Sequence, residues 1–371
     1  MKPKVLLITT IYPPQVGGPA IFISRFKDWL TENNYEVQVI TYSENTEANK
    51  NGIFFISLRV NRLIAFFRYI RCILKNSDKN TLILANGAFI ETYFASLFSR
   101  FRFILKIPGD HVWELSRNRG WTDKSIEDFQ SASLTFTQYT LRKLTNISLK
   151  NADFVISPSN QLASFLKNWG IKDKKIKIIF NCVDPKQFIS HTDNRVKRFD
   201  LVTVCRLVKW KGVDELIECA IRLNLKLVVV GDGPLMTELK LKAEKAPENI
   251  LLLGNLNNKQ VIEILSQSKI FVLNSNFEAT SYAVIEAKMA GIPILAKATD
   301  GSLTLVQDGI DGLIYSGASS TSLETAINQL ISNKILIEKF GLEAKKDALR
   351  RFNQEINFPD ILRLMECYSF D

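Results

Sequence analysis

Two acidic residues in the C-terminal half have the type and spacing to bind a polar ligand. Glu278 and Glu286 follow the apolar run Ile270–Leu273, which predicts a buried strand. We expect Glu278 in a loop and Glu286 about two turns into a helix that starts near Thr280 or Ser281. Carboxylates so placed could accept hydrogen bonds from the hydroxyl groups of a sugar and of a ribose. The alternative is a Glu278 that the dipole favours at the helix N-terminus and a solvated Glu286.

Cations cluster where another predicted strand, Leu201–Cys205, leads into a predicted helix, Gly212–Leu223. The connecting segment contains Arg206, Lys209 and Lys211. Fixed cations at such a turn could stabilise the charge that develops on a diphosphate when its bond to a sugar breaks, with no metal ion. The alternative is a solvated basic loop, and Lys209 is the residue that we expect to be merely exposed.

A glycine pair marks a possible anion site near the N-terminus. Gly17 and Gly18 lie between the predicted strand Lys4–Thr9 and the predicted helix Pro19–Asn33. Backbone N–H groups can approach an anion closely at such a turn, and the helix N-terminus adds partial positive charge. The segment is neither GxGxxG nor a P-loop. A purely structural tight turn is therefore an equal alternative.

The elements that must position these residues alternate between short apolar strands and amphipathic helices. This alternation predicts parallel sheets covered by helices on both faces. The polar segment 181–198 divides the pattern into two sets, so we place a first domain at 1–185 and a second at 186–353. A C-terminal helix over about 354–371 is expected to pack back on the first domain. The fold class is then α/β, with two Rossmann-like doubly wound domains facing an interdomain cleft and ligands at the carboxyl ends of the strands.

Composition narrows the class of protein without naming its substrate. The chain has 371 residues, of which 46% are hydrophobic, and a net charge of +10, which favours an anionic partner. The five cysteines are scattered and form no CxxC, and we predict neither a metal site nor a cofactor. No apolar run is long enough for a membrane-spanning helix, and the start does not resemble a signal peptide. These features predict a cytoplasmic protein.

The ordered set of motifs resembles glycosyltransferase family 4, whose members are retaining enzymes of the GT-B fold. The resemblance covers nearly the whole chain. It is carried by Gly17-Gly18, Ser157-Pro158-Ser159, Asn181-x-Val183-Asp184, Arg206 with Lys211-Gly212, Gly231-Asp232-Gly233-Pro234, Gly254, Glu278-x7-Glu286-Ala287, Ala290-Gly291-Ile292-Pro293 and Asp308-Gly309-x-Asp311-Gly312-Leu313.

The resemblance implies a role for each matching position. Arg206 and Lys211 would hold the donor diphosphate, Glu286 the ribose, and Glu278 the transferred sugar. The remaining positions would complete the donor site: Thr280, Ser281 and Tyr282 through their backbone, Asn255 and Leu256 beside the nucleobase, and Gly17 and Gly18 over the phosphates or the acceptor. Front-face attack, the usual explanation of retention in this family, requires no metal and no dedicated protein base.

The acceptor side is less sharply marked by the sequence. The predicted strand Arg102–Ile107 leads into Asp110 and His111, and a histidine near this point often contacts the transferred sugar in family members. We assign His111 a catalytic role and Asp110 and Arg117 contacts with the acceptor. The alternative is an ordinary surface pair of His111 and Asp110.

Residues 59–75 predict a basic amphipathic helix. At helical spacing Arg68, Arg71 and Lys75 share one face, and apolar side chains occupy another: Leu63, Phe66, Phe67, Ile70, Ile73 and Leu74. Such a helix can lie on an anionic bilayer. The alternative is an ordinary domain helix with its apolar stripe in the core.

Together these features predict a hexosyltransferase that moves a hexose from a UDP- or GDP-sugar to a glycan or polyprenyl-linked acceptor, in cell-surface polysaccharide biosynthesis. We expect it on the inner face of the cell membrane as a peripheral protein, with no nucleic-acid partner. The alternatives are a GT-B nucleotide-sugar 2-epimerase and a nucleic-acid-binding protein suggested by the basic charge. The first needs proton-abstracting groups in the cleft, and the chain has only two histidines. The second lacks a recognisable RNA or DNA module.

Overall fold

The protein is represented by a computed structural model that describes residues 2–15, 17–44, 49, 51–99, 101–191, 196–278, 280–317 and 319–367. The chain forms two compact units. The first is Met1–Phe180 together with Phe358–Asp371, and the second is Asn181–Asn357. The observed division lies five residues before the boundary placed at 185. The chain then returns to the first unit at Phe358, within the predicted C-terminal helix, whose residues 368–371 lie outside the described residues.

The first unit contains a seven-stranded parallel sheet in the order β3-β2-β1-β4-β5-β6-β7. Its strands are β1 (Val5–Thr9), β2 (Val37–Ser43), β3 (Ile53–Ser57), β4 (Leu82–Asn86), β5 (Ile104–Lys106), β6 (Phe154–Ser157) and β7 (Ile176–Ile178). Its helices are α1 (Gly18–Glu32), α2 (Arg62–Asn76), α3 (Phe89–Phe98), α4 (His111–Asn118), α5 (Ile126–Gln130), α6 (Phe136–Asn151) and α7 (Asn160–Asn168).

The second unit contains a six-stranded parallel sheet in the order β10-β9-β8-β11-β12-β13. Its strands are β8 (Phe199–Val204), β9 (Leu227–Val230), β10 (Ile250–Leu252), β11 (Ser268–Leu273), β12 (Ile294–Lys297) and β13 (Gly312–Tyr315). Its helices are α8 (Val213–Arg222), α9 (Met236–Ala243), α10 (Asn258–Ser266), α11 (Tyr282–Met289), α12 (Asp300–Leu305), α13 (Ser320–Ile331) and α14 (Lys334–Arg351). A last helix, α15 (Gln354–Glu366), begins in this unit and continues into the first.

The strands with continuous apolar runs lie in the middle of each sheet. Every residue of β1, β4 and β9 is buried, as expected for strands covered on both faces. Edge strands carry a weaker signal. The alternation of apolar strands and amphipathic helices along the sequence did not predict β3 or β13. Every residue of β3 is partly exposed, and β13 is only four residues long. The two Rossmann-like parallel-sheet units confirm the predicted fold class.

A buried network of charges holds α11 in the second unit. The ammonium group of Lys288 is fully buried and donates to Asp311 Oδ2 at 2.8 Å, to Asp347 Oδ2 at 2.5 Å and to the Leu305 carbonyl at 2.6 Å. Burial pushes the pKa of Asp347 upward, but hydrogen bonds and attraction from Arg351 and Lys288 outweigh it and leave that pKa below its usual range. The network therefore ties α11 to α14 and to the turn before β13.

Candidate functional site

In the second unit, the predicted donor residues all follow the carboxyl ends of parallel strands. Arg206 and Lys211 follow β8, Glu278 follows β11, and Asn255 and Leu256 follow β10. These strands lie in the order β10-β9-β8-β11, so their loops share one edge of the sheet. From β8 the chain builds β9 and β10 on one side of the sheet, and it then crosses to build β11, β12 and β13 on the other side of β8. The carboxyl ends of β8 and β11 are therefore a topological switch point, the usual ligand position in open α/β sheets.

At this switch point the structure joins a predicted cation to a predicted carboxylate. The ammonium group of Lys211 forms an ion pair with Glu278 Oε1, and Glu278 is only 8% exposed. Arg206 is exposed in the same β8–α8 connection, as is Lys209. Cys205 is half-buried beside the pair, and desolvation raises the pKa of its thiol to about 11, so it stays protonated at neutral pH. The two adjacent loops thus bring the Glu278 carboxylate together with the predicted cation Lys211, and Arg206 and Lys209 lie in the same connection as Lys211.

Backbone contacts lock these two loops together. The Asn276 N–H donates to the Trp210 carbonyl at 2.8 Å, and the side-chain amide of Asn274 donates to the Gly212 carbonyl at 2.8 Å. Gly212 has a φ of +60°, and a Cβ there would lie 2.6 Å from Asn274. A side chain at this position would be strained and would push the loops apart. Gly212 is therefore required for the close approach that brings Lys211 to Glu278.

Two residues that the sequence did not reveal hold the loop that contains Glu278. A Cβ on Gly301, in the first turn of α12, would lie 1.7 Å from the Glu278 carbonyl oxygen, so only glycine lets the Glu278 backbone rest there. Asn274 is 3% exposed and accepts a hydrogen bond from Tyr315. A polar residue directly after the apolar strand was the available signal for Asn274. No local sequence signal marks Gly301, because its close contact is with Glu278, more than twenty positions away.

Glu286 lies closer to the helix start than predicted. Because α11 begins at Tyr282, Glu286 is little more than one turn from its N-terminus, and the prediction of two turns was wrong. Its side chain is 6% exposed, which excludes the solvated alternative. Ser281 is the N-cap and accepts from the Val284 N–H, and the Thr280 hydroxyl is buried with no hydrogen-bond partner among the described residues. Both carboxylates thus flank an α-helix N-terminus, where backbone N–H groups favour an anion.

The neighbouring loops complete this edge of the second unit. Asn255 is exposed and Leu256 partly exposed, in the loop between β10 and α10. The Gly231 N–H donates to the Gly254 carbonyl at 2.8 Å, which joins the loops after β9 and β10. Gly233 packs so tightly against Leu207 that a Cβ would lie 2.4 Å from the Leu207 carbonyl oxygen. Gly231 and Gly233 therefore keep the loops after β8, β9 and β10 in contact.

In the first unit, the glycine pair lies at the start of α1. Gly17 is the N-cap and Gly18 the first helical residue, with a proline in the first turn and no capping side chain. No acidic residue lies in that first turn. Both glycines follow the carboxyl end of β1, at the centre of the seven-stranded sheet. This placement leaves the positive end of a 15-residue helix without a protein anion in its own first turn.

The structure does not support the predicted contact between Asp110 and an acceptor. Asp110 is 1% exposed and is the N-cap of α4, where its Oδ1 accepts from the Val112 and Trp113 N–H groups. Its Oδ2 accepts from Gln130 at 2.9 Å and from Arg142 at 2.6 Å. Both oxygens are thus engaged by the protein itself, so Asp110 fixes the start of α4 and does not face an acceptor.

His111 and Arg117 both belong to α4, which Asp110 positions. His111 is the first helical residue and its side chain is exposed, whereas Arg117 lies in the last turn, 3.6 Å from Asp123. Glu114, one turn after Asp110, packs against Gly109. Burial, assisted by the charge of Asp110, raises the pKa of Glu114 to about 7. His111 and Arg117 can still contact an acceptor, and their roles stay predictions.

Among the described residues, no group of three or more His, Cys, Asp and Glu side chains could hold a metal ion. Within the same residues, no helix is long and apolar enough to cross a membrane. Whether the reaction needs a metal stays a prediction.

Two protein-family models match the chain, and they meet close to the division between the two units. The family model described as Glycosyltransferase Family 4 matches residues 16–187, and the model described as Glycosyl transferases group 1 matches residues 186–347. Only residues 1–15 and 348–371 lie outside both matches. The chain belongs to glycosyltransferase family 4. This confirms the predicted resemblance and the prediction of a hexosyltransferase enzyme, and it favours the transferase over the epimerase and over the nucleic-acid-binding protein.

Individual relatives match along almost the whole chain. An uncharacterized glycosyltransferase of Methanocaldococcus jannaschii, MJ1069, is 25% identical over 98% of this chain and 98% of its own length. One component of the human phosphatidylinositol N-acetylglucosaminyltransferase is 24% identical over 90% of this chain and 70% of its own length. The structure of Anabaena Alr3699/HepE in complex with UDP and glucose has a TM-score of 0.78 at 18% identity, and covers 98% of this chain and 100% of that one. The last likeness shows the GT-B fold.

Proposed function

We propose that the protein is a retaining glycosyltransferase that moves a hexose from a nucleoside-diphosphate sugar to a glycan or lipid-linked acceptor. The observation that carries this proposal is the Lys211–Glu278 ion pair at the β8–β11 switch point, beside exposed Arg206. Buried Glu286 lies about one turn into α11, the helix that follows Glu278. The HepE complex with UDP and glucose supports the donor class. The human relative, named for phosphatidylinositol, supports a lipid-linked acceptor.

The donor would bind along the carboxyl edge of the second sheet. Arg206 and Lys211 would contact the diphosphate, and the three N–H donors of Lys211 would let it keep Glu278 while it binds a phosphate oxygen. Glu278 would then accept hydrogen bonds from hydroxyl groups of the transferred sugar. The buried carboxylate of Glu286 would accept from the ribose hydroxyl groups, and Asn255 and Leu256 would border the nucleobase.

In the proposed step, the bond between the anomeric carbon and the diphosphate oxygen breaks. The acceptor hydroxyl oxygen forms its bond to the same carbon on the same face, so the anomeric configuration is retained. The acceptor proton passes to the departing phosphate oxygen. Arg206 and Lys211 stabilise the charge that grows on the diphosphate, which is where fixed cations lower the barrier most.

The full chain should be assayed with UDP-, GDP- and ADP-hexoses and a panel of glycan and lipid-linked acceptors. We expect acceptor-dependent release of the nucleoside diphosphate and a product with the same anomeric configuration as the donor, measured by NMR coupling constants. An inverted product would overturn the retaining mechanism. An epimerised sugar formed from donor alone would overturn the transferase proposal itself.

We also propose that the exposed face of α2 contacts an anionic membrane. The structure corrects the predicted apolar stripe, because α2 buries Ala65, Tyr69, Ile70 and Ile73 but leaves Leu63 68% and Phe67 66% exposed. The exposed face therefore combines apolar and cationic side chains: Leu63, Ile64, Phe67, Arg68, Arg71 and Lys75. No acidic residue occurs in α2. Such a face suits the headgroup region of an anionic bilayer.

Replacing both Leu63 and Phe67 with serine is expected to weaken binding to anionic vesicles at least about tenfold, because it removes the side chains that would enter the bilayer. Flotation of the protein with vesicles of anionic and of neutral lipid measures this. Ile335→Ser, which removes an 80% exposed apolar side chain in the second unit, is the matched control and should bind like the unmodified protein. Equal binding by all three proteins would contradict the membrane contact.

A further inference from the structure

A cavity in the first unit lies outside the donor residues described above. It has a volume of about 500 Å³ and opens at the carboxyl ends of β2 and β3, beside the first turns of α2 and α3. We call it the α2–α3 pocket. Its lining comprises Tyr42, Glu44, Leu58, Arg59, Arg62, Ala65, Phe66 and Glu91. Cationic, acidic and aromatic side chains thus meet in one space large enough for a sugar-sized ligand.

One wall of the pocket is a carboxyl group held by a tyrosine. The Tyr42 hydroxyl donates to Glu91 Oε1 at 2.7 Å. Burial raises the pKa of Glu91, and the hydrogen bond from Tyr42 opposes that rise. Tyr42 in turn packs on buried Tyr69, with ring centroids 4.5 Å apart. A carboxyl group fixed in this way has lone pairs left for ligand hydroxyl groups, because Tyr42 uses only one.

Two guanidinium groups also line the pocket. Arg59 uses its Nε to donate to the Glu44 carbonyl at 2.8 Å, which leaves the two terminal nitrogens of the fork. The guanidinium group of Arg62 makes no ion pair or hydrogen bond within the described part of the chain. The Glu44 carboxylate is part of the lining too and would repel a free anion placed against it. A ligand for this pocket must therefore place its negative charge on the arginines and its neutral, hydroxyl-bearing part toward the carboxyl groups.

Apolar side chains complete the lining. Phe66 presents an aromatic ring, braced edge-on by Phe94 with centroids 5.7 Å apart, and Leu58 and Ala65 lie beside it. Aromatic and aliphatic surfaces pack against the C–H face of a saturated ring and bury its apolar area. Inorganic phosphate, which has no apolar face, would leave this surface without a partner.

We propose that the α2–α3 pocket binds a phosphorylated polyol ring, with the phosphate on Arg59 and Arg62, a ring hydroxyl on Glu91 and the ring against Phe66. This inference deepens the proposed function, on which it rests, because it assigns the pocket to the anionic head of the acceptor. The same chemistry occurs in a soluble sugar phosphate and in a lipid whose phosphodiester carries a polyol. The exposed face of α2 begins at the pocket, since Arg62 and Leu63 are adjacent, and this favours the lipid.

Binding of myo-inositol 1-phosphate to the full chain, measured by calorimetry, tests the pocket directly. We expect it to bind more tightly than myo-inositol or inorganic phosphate, because only the phosphorylated ring meets both the arginines and Glu91. Arg62→Gln should raise its Kd at least about tenfold, since it removes a charge-assisted hydrogen bond to the phosphate. Arg363→Gln, the same change at a 71% exposed side chain of α15 in the first unit, outside the pocket lining, should leave the Kd unchanged.

Three outcomes would overturn the inference. These are no binding of the phosphorylated ring, equal weakening by Arg62→Gln and Arg363→Gln, or equal affinity for inorganic phosphate. Vesicles that contain phosphatidylinositol distinguish the two sources of the ligand. Arg62-dependent binding to these vesicles identifies a lipid head, and Arg62-dependent binding of the soluble compound alone identifies a free sugar phosphate.

A separate readout distinguishes failure of this inference from failure of the proposed function. Binding of nucleoside diphosphates to the second unit of the full chain should be unchanged in Arg62→Gln. Loss of inositol phosphate binding with normal nucleoside diphosphate binding supports the pocket. If the unmodified protein binds inositol phosphate but no nucleoside diphosphate, the transferase proposal fails while the pocket stands.

Discussion

Glu278→Gln is expected to lower kcat/KM for sugar transfer by at least about 100-fold, a loss of roughly 2.7 kcal/mol of transition-state stabilisation. The substitution keeps the size of the side chain but removes the charge that pairs with Lys211. It also replaces a carboxylate that can only accept hydrogen bonds with an amide that donates from one end. Both changes act where the transferred sugar and the diphosphate would meet.

A matched control separates this effect from a general loss of acidic charge. Glu244 is the exposed C-cap of α9, at the end of that helix that precedes β10 and not at the end that follows β9. Glu244→Gln should keep normal kcat/KM, and both variants should show cooperative thermal unfolding. If Glu278→Gln is folded and its kcat/KM lies within about threefold of the unmodified value, Glu278 does not contact the reacting sugar.

Lys288→Met is expected to lower the free energy of unfolding by about 3–5 kcal/mol, because it leaves two buried carboxylates without their shared cation. Denaturant unfolding measures this. We also expect Lys288→Met to lower the transferase activity, because Lys288 lies two residues after Glu286 on α11. The pKa of Asp347 lies below its unfolded value, so the pair stabilises the native state at neutral pH. That contribution should disappear in the unmodified protein as the pH falls through the native pKa.

Lys334→Met provides the control for this prediction. Lys334 has an 89% exposed side chain and lies 3.8 Å from another solvated residue, Glu338. Exposed pairs of this kind contribute little, so the change should stay within about 0.5 kcal/mol. A similar small effect for Lys288→Met would show that the buried network does not hold α11 in place.

The sequence was sufficient for the parts of the fold and site that depend on short-range patterns. Alternating apolar strands and amphipathic segments predicted two parallel sheets, because parallel strands are buried on both faces. The residues that follow those strands could be placed at one edge of a sheet for the same reason. Arg206, Lys211 and Glu278 were predicted in this way, and the adjacent order of β8 and β11 brings their loops together.

The sequence could not reveal contacts that depend on distant partners. Asp110 was assigned to the acceptor because an Asp-His pair after a strand looks like a site. The structure instead buries it against Arg142, 32 residues away. Leu63 and Phe67 fit an apolar stripe by helical period, but burial depends on which side of α2 packs on the sheet. Gly301 shows no local pattern, because its requirement arises from the Glu278 backbone.

The most direct test of the account is calorimetric titration of the full chain with UDP and GDP, repeated with Arg206→Gln and Lys209→Gln. Both substitutions remove one exposed cation from the same connection between β8 and α8. The account predicts that one nucleoside diphosphate binds and that Arg206→Gln raises its Kd at least about tenfold, whereas Lys209→Gln has little effect. Equal effects of the two substitutions, or no binding of either diphosphate to the unmodified protein, would contradict the claim that this edge of the second sheet is the donor site.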